Sequence, residues 1–299
     1  LEPILQTPEA STMHFSEDKP IINTASVDLA PDETLEDLQR GGLRLIQART
    51  GFRFGEDTVF LAAFAAGLVH TRKRLKVADI GAGSGASSLL LAGRLPQAYI
   101  VGIELFPRPA AVFARNILLN QLQDRVVSIQ GDARDGGLLP RASQDLVISN
   151  PPYRDPRRHL SPRRRMNEPA GDERRAAVEM ITLLTQDWLA SAAKWLKPGG
   201  LLAFVHRPAS LPDLFAAMRA ERIEPIGLQA IVPSPGRAPT SLLIAGRLHG
   251  RPGSFRYAPD LLVRDASGQP TAATREIYGL PEPDAPDELD SGGAGRTKQ

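Results

Sequence analysis

The chain has 299 residues, a formal net charge of +2 and no cysteine. That length admits one large or two ordinary domains with a substantial core. The missing cysteine excludes a disulfide scaffold, a Cys-ligated zinc or iron–sulfur site and a cysteine nucleophile. No apolar run approaches the roughly 18 residues of a membrane span, and the opening LEPILQTPEASTMHF does not read as a signal peptide. A cytoplasmic protein with no membrane partner is therefore expected.

The small net charge is a cancellation. Residues 1–40 carry nine acids against Lys19 and Arg40, and residues 280–299 carry five acids against Arg296 and Lys298. The interval 41–279 holds 32 Lys and Arg against 20 Asp and Glu. Both ends lack a sustained apolar period, so 1–40 is expected to be an acidic, flexible arm and 280–299 a disordered tail. Residues 41–250 are expected to form one folded domain with an amino-terminal lead-in, and 251–279 a carboxy-terminal extension. A basic body suits an anionic partner, although 30 of the 36 bases are Arg, and a chain-wide preference for Arg explains the excess equally well.

In chain order, DTVFLAAFAAGL (57–68) predicts an apolar helix with Asp57–Thr58 as its N-cap. LKVADIGAG (75–83) predicts a buried strand ending at a glycine turn, and SGASSLLLAGRL (84–95) the helix that follows. YIVGIEL (99–105) and PAAVFARNILLNQL (109–122) repeat the strand–helix pair. VVSIQGDA (126–133) predicts a third strand, and QDLVISNPPY (144–153) a fourth that stops at two prolines. RRAAVEMITLLTQDWLASAAKWLKPGG (174–200) has a long helical period ending in Pro-Gly-Gly. LLAFVHR, IEPIGLQAIV and TSLLIAGRL supply three more strands, with LPDLFAAMRAE helical between the first two. Alternating strands and helices argue a parallel α/β sheet with its ligand at the strands' carboxyl ends.

Asp79-Ile80-Gly81-Ala82-Gly83-Ser84-Gly85 lies between a strand and a helix, where glycines let backbone N–H groups approach a polar ligand. Glu104 ends the next strand, placed to accept from both hydroxyls of a ribose. The glycines alone do not separate a dinucleotide from another nucleoside. Asp79 tips the choice toward a ligand bearing an ammonium group rather than a pyrophosphate.

Asn150-Pro151-Pro152-Tyr153 follows the fourth strand directly. Asn150 offers a side-chain carbonyl to an amino group, the rigid prolines present the Pro151 carbonyl as a second acceptor, and Tyr153 offers a flat face to a planar substrate. Such a set suits an NH2 conjugated to a π system. Holding both hydrogens toward acceptors favours a tetrahedral nitrogen, and the rate arises from orientation and local electrostatics without a strong base or a metal.

On DIGAGSG the chain resembles the class I S-adenosylmethionine-dependent methyltransferases. The resemblance implies a single catalytic domain with a Rossmann-like, doubly wound sheet of seven strands. It implies that Gly81, Gly83 and Gly85 pack against S-adenosylmethionine, Asp79 lies near its methionine end and Glu104 holds the ribose. It places Asp132, with Ala133 beside it, at the adenine amino group; the plainer reading of Asp132 is a strand-end cap. Asn150–Tyr153 resembles the NPPY signature of enzymes that methylate adenine N6, cytosine N4, guanine N2 or a release-factor glutamine amide. Gly51-Phe52-Arg53-Phe54-Gly55-Glu56-Asp57 resembles the F-x-x-G-x-D segment of bacterial valine-tRNA adenine-N6 methyltransferases. Release-factor enzymes usually carry an Arg-x-Glu-Thr-Glu type segment there, which this chain lacks.

Between residues 154 and 165, six of twelve positions are Arg: Arg154, Arg157, Arg158, Arg163, Arg164 and Arg165. Beside the catalytic strand they are placed to grip phosphates around a flipped base, unless the stretch is simply a solvated loop. Arg53 is a candidate RNA contact or a cap of the lead-in helix. His159 reads as incidental, and Trp188 and Trp195 as packing. The expected activity is methylation of adenine N6 in tRNA, leaving S-adenosylhomocysteine. The alternatives are a release-factor glutamine methyltransferase and a non-catalytic RNA-binding module that keeps the cofactor site; an NAD dehydrogenase stands further off. The oligomeric state is left open.

Overall fold

The computed structural model describes residues 28–38, 41–50, 53–69, 74–151 and 187–281. Its first elements are strands β1 (Glu33–Asp37) and β2 (Arg44–Ala48), then helix α1 (Glu56–Gly67). Strand–helix pairs follow: β3 (Lys76–Ile80) with α2 (Ala86–Arg94), and β4 (Tyr99–Glu104) with α3 (Pro107–Leu119). Next come β5 (Val126–Gln130), β6 (Gln144–Ser149), helix α4 (described over 187–195), β7 (Leu196–His206) and α5 (Leu211–Ala220). The chain then forms β8 (Ile223–Val232), β9 (Ser241–Leu248), β10 (Arg256–Tyr257), β11 (Leu261–Leu262) and α6 (Ala272–Tyr278).

The central sheet runs β8-β9-β7-β6-β3-β4-β5, with β10 and β11 added along the outer side of β8. Its strands are parallel except β9, which is antiparallel to both β7 and β8. Successive side chains of a strand leave by opposite faces, and the buried strands obey this residue by residue. Val77, Ile100, Leu146 and Ala203 join the core beneath α1, α2 and α3. Their neighbours Ala78, Val101, Val147 and Phe204 join the core beneath α4 and α5. Two such faces, each covered by helices, explain why the middle strands read as unbroken apolar runs. Strand β7 starts ahead of the Pro-Gly-Gly expected to precede it, because Leu196 already pairs with Gln144 and the irregularity is absorbed between Gln144 and Leu146.

The expected arm ending at residue 40 is corrected. Glu33–Asp37 pairs antiparallel with β2 from Glu33↔Ala48 to Asp37↔Arg44. Its acidic sequence hid the strand, because Glu33 is buried through a partner far along the chain, Arg115, at 2.7 Å. The other edge of β2 is closed by side chains of α3. Asn116 donates to the Ile46 carbonyl (2.8 Å) and accepts from the Ile46 N–H (2.7 Å), and Asn120 does the same with Arg44 at 2.7 and 2.8 Å. Two asparagines one helical turn apart thus take the place of a neighbouring strand.

The extension adds β10 and β11 parallel to β8, at Gly227–Leu228 and Ile231–Val232. Helix α6, capped by Thr271, then leads back to α1, where Tyr278 meets Phe60 edge-on at 6.0 Å. The Ile277 carbonyl accepts from Arg94 at 2.6 Å. The seven-stranded core expected from the sequence is therefore present and is lengthened at one edge.

Candidate functional site

The sheet reverses its winding between β3 and β6, and a doubly wound sheet binds its ligand above the carboxyl ends at such a point. A cleft opens there, with Gly81, Asp132, Ala133, Asn150 and Pro151 in its wall. The remaining wall is mostly apolar, from Ile80, Ile103, Leu105 and Trp188. Five residues chosen from three separate sequence motifs are brought to one cavity.

The glycine loop is held from below. Gly81 and Ala82 donate backbone N–H bonds to the Ile103 carbonyl at 2.9 and 3.1 Å, so the loop is tied to β4. Gly85 is the residue preceding α2, at φ +92°, and a Cβ there would stand 2.0 Å from the Phe113 ring. Only glycine allows α2 and α3 to approach this closely. Gly83, at φ +57°, donates its N–H to Glu104 Oε2 at 2.8 Å, and Phe106 N–H donates to Oε1 at 2.9 Å. Each carboxylate oxygen of Glu104 is thereby oriented by one backbone donor and keeps further acceptor capacity. Burial raises the Glu104 carboxyl above its ordinary value, against the pull of those two N–H groups.

Asp79 is 1% exposed and stands outside the cleft wall. Its Oδ2 accepts from Ser88 Oγ at 2.7 Å, tying the end of β3 to α2 beneath the loop. Burial, with the nearby Glu104 charge adding to it, pushes the Asp79 carboxyl up to about 7.

Asp132 makes the strand-end turn of its plainer reading while lining the cleft. Its carboxylate accepts the Arg134 backbone N–H at 2.9 Å. The Arg134 guanidinium, at 2.9 Å from both carboxylate oxygens through Nε, holds the carboxyl below its ordinary value.

Asn150 donates its side-chain NH2 to Thr58 Oγ1 at 2.8 Å. Thr58 is 3% exposed and belongs to the first turn of α1. The expected N-cap is corrected accordingly: Gly55 precedes the helix with no side-chain cap, while Asp57 and Thr58 reach to the sheet. Asp57 Oδ2 accepts from Ser241 Oγ on β9 at 3.1 Å. Arg53 does not cap the helix either. It binds Glu36, Thr34 and the Ala48 carbonyl, at 2.5, 3.2 and 3.0 Å. Pro152, Tyr153 and the arginines from Arg154 to Arg165 lie outside the described residues, as does His159.

Sequence reasoning missed Thr58, Leu105 and the cleft-facing part of Trp188. Trp188 packs edge-on against Phe204 at 5.2 Å, as expected of a core residue, and borders the cleft as well. Only Leu105 had a signal, since it directly follows the ribose acid; the others depend on contacts distant in sequence.

The donor set fits S-adenosylmethionine: a glycine loop with open space at Gly81 and Gly83, an oriented buried acid at Glu104, and a mostly apolar cleft with Asp132 and Ala133 in its wall. The fold and site are those of a class I S-adenosylmethionine-dependent methyltransferase. The family profile described as "Methyltransferase small domain" matches residues 59–172. A Porphyromonas gingivalis protein named tRNA1(Val) (adenine(37)-N6)-methyltransferase is 30% identical over 200 residues, covering 66% of this chain and 75% of that protein. A Yersinia pseudotuberculosis protein of the same name is 34% identical over 175 residues, covering 58% and 64%. A solved Agrobacterium tumefaciens structure, described as a predicted O-methyltransferase, shares the fold at a TM-score of 0.58 and 23% identity, covering 75% of this chain and 95% of that one. The chain belongs to the methyltransferase family of which these Porphyromonas and Yersinia proteins are members.

Proposed function

We propose that this methyltransferase acts on N6 of an adenine in tRNA, in the cytoplasm, with the base turned out of its stack into the cleft. The observation that carries the reading is the shared wall: Asn150 and Pro151 border the same cavity as Gly81, Asp132 and Ala133. The names of the Porphyromonas and Yersinia relatives support the adenine and the tRNA. No described helix is long and apolar enough to cross a membrane.

Gly81, Gly83, Glu104, Asp132 and Ala133 would hold S-adenosylmethionine, with Asp79 and Gly85 fixing the loop from beneath. When bound, it supplies an electrophilic methyl group on a sulfonium and leaves as S-adenosylhomocysteine. Asn150 Oδ1 and the Pro151 carbonyl accept the two amine hydrogens, which withdraws the nitrogen lone pair from the ring and orients it for in-line attack. The amine proton departs to solvent after the transfer, so no strong base is required. Tyr153 supplies the stacking face, and the arginines between Arg154 and Arg165 supply cationic charge for phosphates.

Tritiated methyl donor offered in parallel with total tRNA and with a peptide release factor tests the substrate. The reading predicts label in N6-methyladenosine from the tRNA arm. Label confined to a glutamine of the protein arm would overturn it.

A further inference from the structure

Asn150 carries two chemically opposite groups on one planar amide. A substrate NH2 is attracted by the carbonyl oxygen and repelled by the amide's own NH2. A rotation of the amide by half a turn exchanges them at little change in shape, so something must fix which group faces the substrate. The contact that orients the amide in this structure is with Thr58, whose hydroxyl is able both to donate and to accept and here accepts. Its Oγ1 accepts from Asn150 Nδ2 at 2.8 Å, across 92 positions of sequence. Its burial, at 3% exposure, shields the hydroxyl from competing water.

Thr58 is itself held in place. The α1 backbone N–H of Thr58 donates to the Gly55 carbonyl at 3.0 Å. The preceding Asp57 accepts from Ser241, which is fully buried on β9 and also accepts from Arg207 at 3.1 Å. The first turn of α1 is therefore pinned to two strands of the sheet, β6 through Thr58 and β9 through Asp57.

We infer that Thr58 is a positioning residue for methyl transfer: it engages the NH2 of Asn150 so that the carbonyl oxygen is the group presented to the substrate amine. The inference rests on the proposed function for its catalytic consequence but not for its geometry. It also gives the lead-in segment a purpose, since the residues following Gly55 place this hydroxyl at the end of the catalytic strand.

Two measurements on the full-length protein test it. In amide-detected NMR, the Asn150 side-chain NH2 should show one proton shifted downfield and protected from exchange. Thr58→Val should abolish that signature and Thr58→Ser should keep it. In steady-state methylation, Thr58→Val should lower kcat roughly 10- to 100-fold, the scale of a misoriented reacting group. The KM for S-adenosylmethionine should stay within about threefold, as expected when a transition-state contact is lost rather than cofactor binding. Thr58→Ser should restore most of kcat. An unaltered Asn150 signature in Thr58→Val, or Thr58→Ser failing as badly as Thr58→Val, would overturn the inference. Wild-type protein that methylates no tRNA would overturn the proposed function instead, and the NMR comparison would still decide the role of Thr58.

Discussion

Asp79 shows how one residue type can carry a motif and still act from behind it. The sequence marked it as a partner for an ammonium group, and in the fold its carboxylate is 1% exposed and bonded to Ser88 below the glycine loop. Burial raises its pKa to about 7 from an unfolded value of 3.8, so between those values the folded protein retains a proton that the unfolded chain has lost. Stability from this group is full below the unfolded value and falls as pH rises through that window, by on the order of 4 kcal/mol across it. Glu104 is also raised by burial and acts with the same sign. The difference between wild type and Asp79→Asn therefore isolates Asp79. Denaturant unfolding at pH 5 and pH 8 should show wild type losing more stability than the variant over that interval; equal losses would refute the assignment.

Among elements, those with a strong local signal were legible from sequence. β3 to β6 and α1 to α3 follow from apolar runs punctuated by the glycine loop and by the Asn150–Pro151 stop, and they carry the cleft. The elements that escaped lack such a signal. β1 reads as an acidic arm because Glu33 is buried by an arginine 82 positions away. β10 and β11 have two residues each and are strands only because β8 lies beside them. The strand-like role of Asn116 and Asn120 is equally invisible, since two polar residues on a helix normally mark its solvated face. Asn116 is fully buried, bonds both backbone groups of Ile46, and also donates to the Ser84 carbonyl of the glycine loop at 2.8 Å. Asn116→Ala should therefore destabilise the protein by about 3 kcal/mol through unpaired backbone groups, and should weaken S-adenosylhomocysteine binding because the loop loses a support. Chemical denaturation with calorimetry of the ligand checks both; an unchanged midpoint would contradict the strand-substitute role.

For the whole molecule, charge segregation and the strand–helix alternation pointed to a basic, doubly wound enzyme, and the fold and family bear out the enzyme class. The extension, expected only as a segment following the folded domain, lengthens the sheet at β8 and clasps α1 through Tyr278 and α2 through Arg94. It thereby braces the helix whose first turn holds Thr58 against Asn150. The central claim is that acceptors at the end of β6 act on an exocyclic amine within the cofactor cleft. Mass spectrometry of nucleosides from tRNA incubated with Asn150→Ala and wild-type enzyme, alongside S-adenosylhomocysteine calorimetry, tests it most directly. The account predicts N6-methyladenosine from the wild type, a loss of at least about 100-fold in the variant, and ligand affinity within about threefold. Near-full methylation by Asn150→Ala with unchanged ligand binding would contradict it.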